Sequence, residues 1–313
     1  MPKPKLKKSI LTTALTVMLL SSIMFFVMFF VACGMFSTTY HSFPHLISED
    51  MREASPIRPI DSRALVVNFR SHNNSRQAQD YQLWEILDII AVQNARPNLD
   101  CPYLFSEVRQ SYLNARQILN QIILNDFTDH QRLLAIHDFL SYKVEYDYEL
   151  FERFLNPAID TTQEVADSLS FDIRGVFLDQ YNRVAVCEGL SKALMLMAGI
   201  EGIQARVVKG SFNDGRRQVQ HMWNKVRAAT DGVYNWYNID VTLNNHQFYV
   251  GGVFSSQTIT VLNHGFFMRS DRALHEFGGH RELPSAFQRN GIPIPQANGE
   301  YDFFSTRYFN GID

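Results

Sequence analysis

Cysteine is scarce in this chain: Cys33, Cys101 and Cys187 are the three in 313 residues. Three thiols cannot build the disulfide framework of a small secreted scaffold, so the fold must rest on a hydrophobic core. At 46% hydrophobic and 19% charged, the chain has apolar mass for one large domain or two small ones. Basic charge is short as well. Of 29 Lys and Arg side chains, four (Lys3, Lys5, Lys7, Lys8) fall in residues 1–33, which hold no acid. The remainder sets 25 bases against 32 acids, a formal -7. That argues against a nucleic-acid partner, which requires a basic face. No phosphate-cradling glycine loop, dinucleotide fingerprint or internal repeat appears. His275-Glu276-Phe277-Gly278-Gly279-His280 has one residue too many between its histidines for a zinc-protease helix, and its glycines weaken any helix there. No cofactor and no metal site is therefore expected.

What is present begins with an uncharged apolar run at 10–32, directly after the four lysines. Its length suits one bilayer span, and the lysines hold the N-terminus in the cytoplasm, leaving the body outside. Three fates remain open: an uncleaved anchor, a cleaved signal peptide, or a lipoprotein signal ending at Cys33.

Residues 36–78 read as a tether, broken by Pro44, Pro56, Pro59 and His72-Asn73-Asn74-Ser75, with a short strand candidate at 64–69. Helical spacing follows. Leu83, Ile86, Leu87 and Ile90 mark one apolar face, and Phe105, Val108, Tyr112, Ala115, Ile118 and Ile122 a second. Thr128 and Gln131 form a capping box ahead of Leu133, Ile136 and Leu140, with His137 as a packing residue on that helix. A further helix runs from Cys187, with Leu190, Ala193, Leu194 and Met197 on one face and Gly199 as its cap. After it the period turns extended. Strands are predicted at 204–210, 219–227 and 233–242, separated by Asn213-Asp214-Gly215 and Thr230-Asp231-Gly232, with 248–254, 258–261 and 266–268 extending the sheet. Helices first and hairpin-linked strands afterwards is the order of an α+β domain.

Cys187 stands where an apolar run gives way to a helix. Peptide dipoles at a helix N-terminus favour thiolate, the nucleophilic form. A buried structural cysteine is the plainer alternative, and a Cys101–Cys187 bridge would abolish any nucleophile. His221 and Asp240 lie on the second and third predicted strands. Folding these about the 230–232 turn sets them opposite each other, an imidazole oriented by a carboxylate as an activated thiol needs.

Cys187-Glu188-Gly189 ahead of a helix, Gly199-Ile200 at its end, His-x-Trp-Asn-x-Val from His221 and Trp-Tyr-x-x-Asp-x-Thr from Trp236 together resemble the transglutaminase-like superfamily. The resemblance covers roughly 125–285. It includes the helix from Leu133 to Tyr146, Tyr146-Asp147, and a Phe266-to-Asp271 segment like the later strand and Ser-Asp turn. It implies a papain-like α+β fold, a Cys187–His221–Asp240 triad, and acyl transfer through a thioester. Leu190, and Leu243-Asn244-Asn245, depart from frequent aromatic and acidic residues beside the groove. No calcium-loop pattern is visible.

The implied organisation is an anchor or signal at 1–35, a tether at 36–78, a helical extension at 79–124 and a transglutaminase-like domain at 125–313. In the implied reaction Cys187 attacks an amide carbonyl and His221 protonates the departing amine. The Cys187 backbone N–H stabilises the oxyanion, with Gln180 or Tyr181 as a second donor. Trp223 and Trp236 are read as packing on the sheet. The expected partner is a protein or peptide substrate in the cell envelope, with membrane contact through the N-terminal segment. A catalytically silent peptide- or cell-wall-binding module on the same fold is the alternative.

Overall fold

The computed structural model describes residues 66–71, 75–156, 158–178, 182–213, 217–244, 264–291 and 293–301. The apolar run at 10–32, the strand candidates at 248–254 and 258–261, and Gln180 and Tyr181 lie outside them. Among the described residues no helix is long and apolar enough to cross a membrane.

In chain order the elements are β1 (Val66–Val67), α1 (Arg76–Leu87), a π-helical turn Asp88–Val92, β2 (Arg96–Pro97), α2 (Ser106–Ile122), α3 (Asp129–Lys143) and β3 (Glu145–Tyr146). There follow α4 (Tyr148–Leu155), α5 (Thr162–Asp167), α6 (Ile173–Phe177), β4 (Val184–Ala185) and α7 (Cys187–Ile200). Strands β5 (Gln204–Asn213), β6 (Gln218–Thr230) and β7 (Val233–Ile239) come next, then α8 (Val241–Asn244), α9 (Asp271–Gly278) and β8 (Arg281–Glu282). Helices lead and an antiparallel sheet of order β7-β6-β5-β8 follows, the α+β arrangement expected.

The capping box at Thr128 forms as predicted: the Thr128 N–H donates to Gln131 Oε1 at 2.8 Å, fixing the start of α3. Helix α7 is buried on every side from Gly189 to Ile200, not on one face alone. It is the central rod of the molecule, packed between the helices and the sheet. Gly199 does not cap it. The helix runs on to Ile200, and Gly202, at φ +74°, makes the left-handed turn. Gly199 instead lets the π-helical turn approach: a Cβ there would meet Ile90 Cγ1 at 2.8 Å.

Asp231 and Gly232, both at positive φ, join β6 to β7 in the tight turn that an Asp-Gly pair favours. The register differs from the expected one. Thr230 pairs with Val233 and Asn224 with Ile239, so Trp223, not His221, lies across from Asp240. The shift is by two residues, and two is the period of a strand, so His221 keeps the same face. Residues 266–268 form a turn and no strand; one isolated bridge, Asn238 to Arg269, joins that segment to β7.

Candidate active site

Cys187 is the first residue of α7, half-buried, and its thiol and that of Cys101 are both free, so no bridge ties them. The helix start is fixed by its neighbours. The two-residue ladder β3–β4 pairs Tyr146 with Ala185 just upstream, and the Asp147 N–H donates to Ala185 O at 3.1 Å. The Val186 N–H donates to Ser170 O at 2.8 Å, and Ser170 Oγ to Asp147 Oδ2 at 2.5 Å. Gly189 lies against that same Ser170 carbonyl; a Cβ there would fall 2.4 Å from the oxygen. This is the local reason for glycine two residues after the cysteine. Lys192, one turn on, pairs with Glu188 at 2.7 Å and donates to Phe171 O at 2.8 Å.

The strand that carries His221 is bound to this helix by Asn224. Its buried side chain donates to Ser191 O at 2.9 Å, from β6 across to α7. Trp223 is buried and stacked near the His221 ring, centroids 6.1 Å apart, with its indole N–H donating to Asn238 Oδ1 at 2.9 Å. It packs, as expected. Trp236 carries the Arg206 guanidinium over its ring at 5.7 Å.

His221 and Asp240 are both buried, and His221 Nε2 lies 2.7 Å from Asp240 Oδ2. They meet as diagonal neighbours, a separation an imidazole spans. Cys187 lies close enough to His221 to favour its charged form. With Nε2 engaged by Asp240, Nδ1 is the ring atom left for the sulfur. Burial alone disfavours the His221 imidazolium. The charge of Asp240 and its hydrogen bond, with further help from Cys187, overcome that and raise its pKa to about 10. Burial likewise pushes the Asp240 carboxyl up, but the charge of His221 and the hydrogen bonds from His221 and His280 hold it far below the usual carboxylate range. Asp240 Oδ1 accepts the Leu243 N–H at 3.2 Å, capping the short helix α8.

Two neighbours escaped the sequence reading. Tyr146 is buried beside the thiol; the Cys187 backbone N–H donates to its hydroxyl, and burial, then the Cys187 charge, push the phenol well above its ordinary pKa. Its signal was the Tyr146-Asp147 pair, legible as a landmark but not as a contact. His280 reaches Asp240 Oδ2 with Nε2 at 2.9 Å, although the sequence reading gave it no role beyond setting its segment apart from a zinc-protease helix. The His275 ring turns instead to the His280 carbonyl, its Nδ1 at 3.0 Å.

A second buried chain lies close by. His137 Nδ1 is 2.9 Å and His264 Nε2 2.7 Å from Asp138 Oδ1, and Asn244, at the end of α8, donates to His137 Nε2 at 2.9 Å. His137 is thus a networked residue more than a packing one; burial lowers its pKa and keeps it neutral as the acceptor for Asn244. In both histidine–aspartate clusters the ligand atoms lie within 4.8 Å of one another. Their separations are nevertheless those of hydrogen bonds, which already use the nitrogens. Gln180 and Tyr181, the expected second oxyanion donors, fall outside the described residues.

Residues 116–241 match the family described as the transglutaminase-like superfamily. Among solved structures, one described as "Crystal structure of a TGase" is 17% identical, with a TM-score of 0.32 over 61% of this chain and 37% of that one. This chain therefore spans well under half of that protein's length. Among curated proteins no match was found.

Proposed function

We propose, on the premise that residues 116–241 form a transglutaminase-like superfamily domain, that this protein is a cysteine-dependent acyltransferase or peptidase acting on amide bonds. The superfamily generally performs acyl transfer at cysteine. One observation carries the reading here: a buried imidazole hydrogen-bonded to Asp240, with a half-buried thiol at a helix start near enough to favour its charged form.

In this mechanism Cys187 Sγ bonds to the amide carbon while its proton rests on His221. Asp240 holds the imidazolium in place. The oxyanion takes the Cys187 N–H, which now points at the Tyr146 hydroxyl, and receives a second hydrogen bond from the Tyr146 O–H. His221 gives its proton to the amine as the C–N bond breaks, leaving a thioester. Water or a second amine then loses a proton to His221 and attacks that carbon, and the C–S bond breaks. Water makes the reaction hydrolysis; an amine makes it cross-linking. The apolar run behind four lysines supports work outside the cytoplasm, on proteins or peptides of the cell envelope.

Iodoacetamide labelling of Cys187, followed by peptide mass spectrometry, tests the site. Labelling faster than for free cysteine below neutral pH, and slowed in His221→Ala, is expected. Equal, sluggish labelling of both proteins would favour a silent binding module. Incubation of envelope proteins and wall peptides with wild type and Cys187→Ala then separates new isopeptide bonds from new chain ends.

A further inference from the structure

His280 is buried, and both of its ring nitrogens face oxygens that only accept. Nε2 lies 2.9 Å from Asp240 Oδ2, and Nδ1 3.2 Å from the Leu274 carbonyl oxygen. A neutral imidazole has one N–H, so both bonds form together only when the ring carries both protons. The backbone is shaped to bring the ring there. Helix α9 is capped by Gly279, at φ +61°, and the His280 ring folds back over Gly278, where a Cβ would lie 2.4 Å from Nδ1. The glycine pair that spoils a zinc helix is what lets this histidine turn inward. Phe212, Trp223 and Phe266 enclose the ring at centroid distances of 6.2, 5.1 and 5.8 Å. The titratable side chains facing it are Asp240 and, at 5.8 Å, the His221 ring; His275 reaches only its carbonyl.

We propose that His280 is a positioning residue of the Cys187–His221–Asp240 site, a second imidazole that holds the Asp240 carboxylate and divides its charge with His221. The inference rests on the enzyme reading above and deepens it. Asp240 Oδ2 accepts from both histidines, while Oδ1 is held by the Leu243 N–H. A carboxylate pinned at both oxygens cannot rotate away from His221. Sharing has an electrostatic consequence. A doubly protonated His280 neutralises part of the Asp240 charge, so His221 sheds its proton at lower pH than it would beside Asp240 alone. His280 thereby sets the alkaline limit of the thiolate–imidazolium pair.

The test uses the full chain and iodoacetate, an anionic alkylating agent whose attack on Cys187 slows when His221 loses its positive charge. In His280→Gln the amide still donates to Asp240 but carries no charge. The plateau rate is expected to stay within about 3-fold of wild type while the alkaline limit moves up by ~0.5–1 pH unit. In His280→Ala the carboxylate is released, and the plateau is expected to fall by about 10-fold or more. Coincident alkaline limits in wild type and His280→Gln would overturn the proposal, as would equal plateau losses in the two variants. NMR of the histidine rings in wild type serves should a variant fail to fold. Both ring nitrogens of His280 are expected to carry protons while Asp240 is ionised, and a single neutral tautomer under the labelling conditions would overturn the proposal. A wild-type Cys187 no more reactive than free cysteine removes the enzyme reading and this inference with it. A reactive Cys187 with coincident limits removes this inference alone.

Discussion

Asp240 has no exposed surface, yet it is ionised, and three donors explain how. The same contacts set the pH dependence of stability. His221 has its pKa raised from 6.5 to about 10, so its contribution is complete below 6.5 and lost as pH rises toward 10. Asp240 is depressed from 3.8, so its contribution is present above 3.8 and lost as the medium is acidified below that value. Thermal melting of the wild type is therefore expected to weaken steadily between pH 6.5 and 10. His221→Gln should flatten that arm; equal slopes in the two proteins would show that the pair does not control it. Tyr146→Phe removes the hydroxyl beside the Cys187 N–H without opening a cavity. Turnover of an amide substrate should fall on the order of 10²-fold while Cys187 labelling by iodoacetamide changes little. Alkylation develops no oxyanion, so loss of both together would place Tyr146 in the activation of the thiol instead.

At the scale of elements, α7 and the β6–β7 hairpin bring sulfur and imidazole together, and one glycine decides how closely α7 seats. Gly189→Ala directs a methyl at the Ser170 carbonyl, 2.4 Å away, and at the Ala185 side chain, 3.0 Å away. Neither belongs to a flexible side chain, so the helix start must lift. A stability loss of about 1–3 kcal/mol is expected from calorimetry, against the ~1 kcal/mol that Gly→Ala gains in an unconstrained helix. The labelling rate of Cys187 should fall with it. Much of this level was legible beforehand. The i, i+3, i+4 spacing in α2 and α3 and the Asp231-Gly232 turn are local signals, and local signals survive folding. The face of His221 was legible because a strand alternates with period two; its partner in the register was not, because Asp240 lies one residue past the end of β7. His280 and Tyr146 were out of reach for another reason. Each meets the site from 40 residues or more away in sequence, and no periodicity records a contact of that kind.

Across the described molecule, one apolar cluster runs from Phe69 through α1, α2, α3 and α7 to Tyr301. The helices before residue 125 are not an ornament on that core. Leu83, Ile86 and Leu87 of α1 and Val108, Ala115 and Leu119 of α2 are buried in it, and α2 packs on both α6 and α7. Arg174 of α6 fastens the same layer by polar means. Its buried guanidinium pairs with Asp172 at 3.0 Å and with Asp80 of α1 at 2.6 Å, and it also bonds Gln79. A fragment of residues 125–313 would expose these apolar faces and leave Arg174 without its α1 partners. Such a fragment is expected to bind a hydrophobic dye and to melt without a cooperative transition. The fragment 66–313 is expected to melt in one step with Cys187 as reactive as in the full chain. If 125–313 instead melts cooperatively with a reactive thiol, the two N-terminal helices are a separable addition. The layer joining them to α7 would then contribute far less than its burial implies.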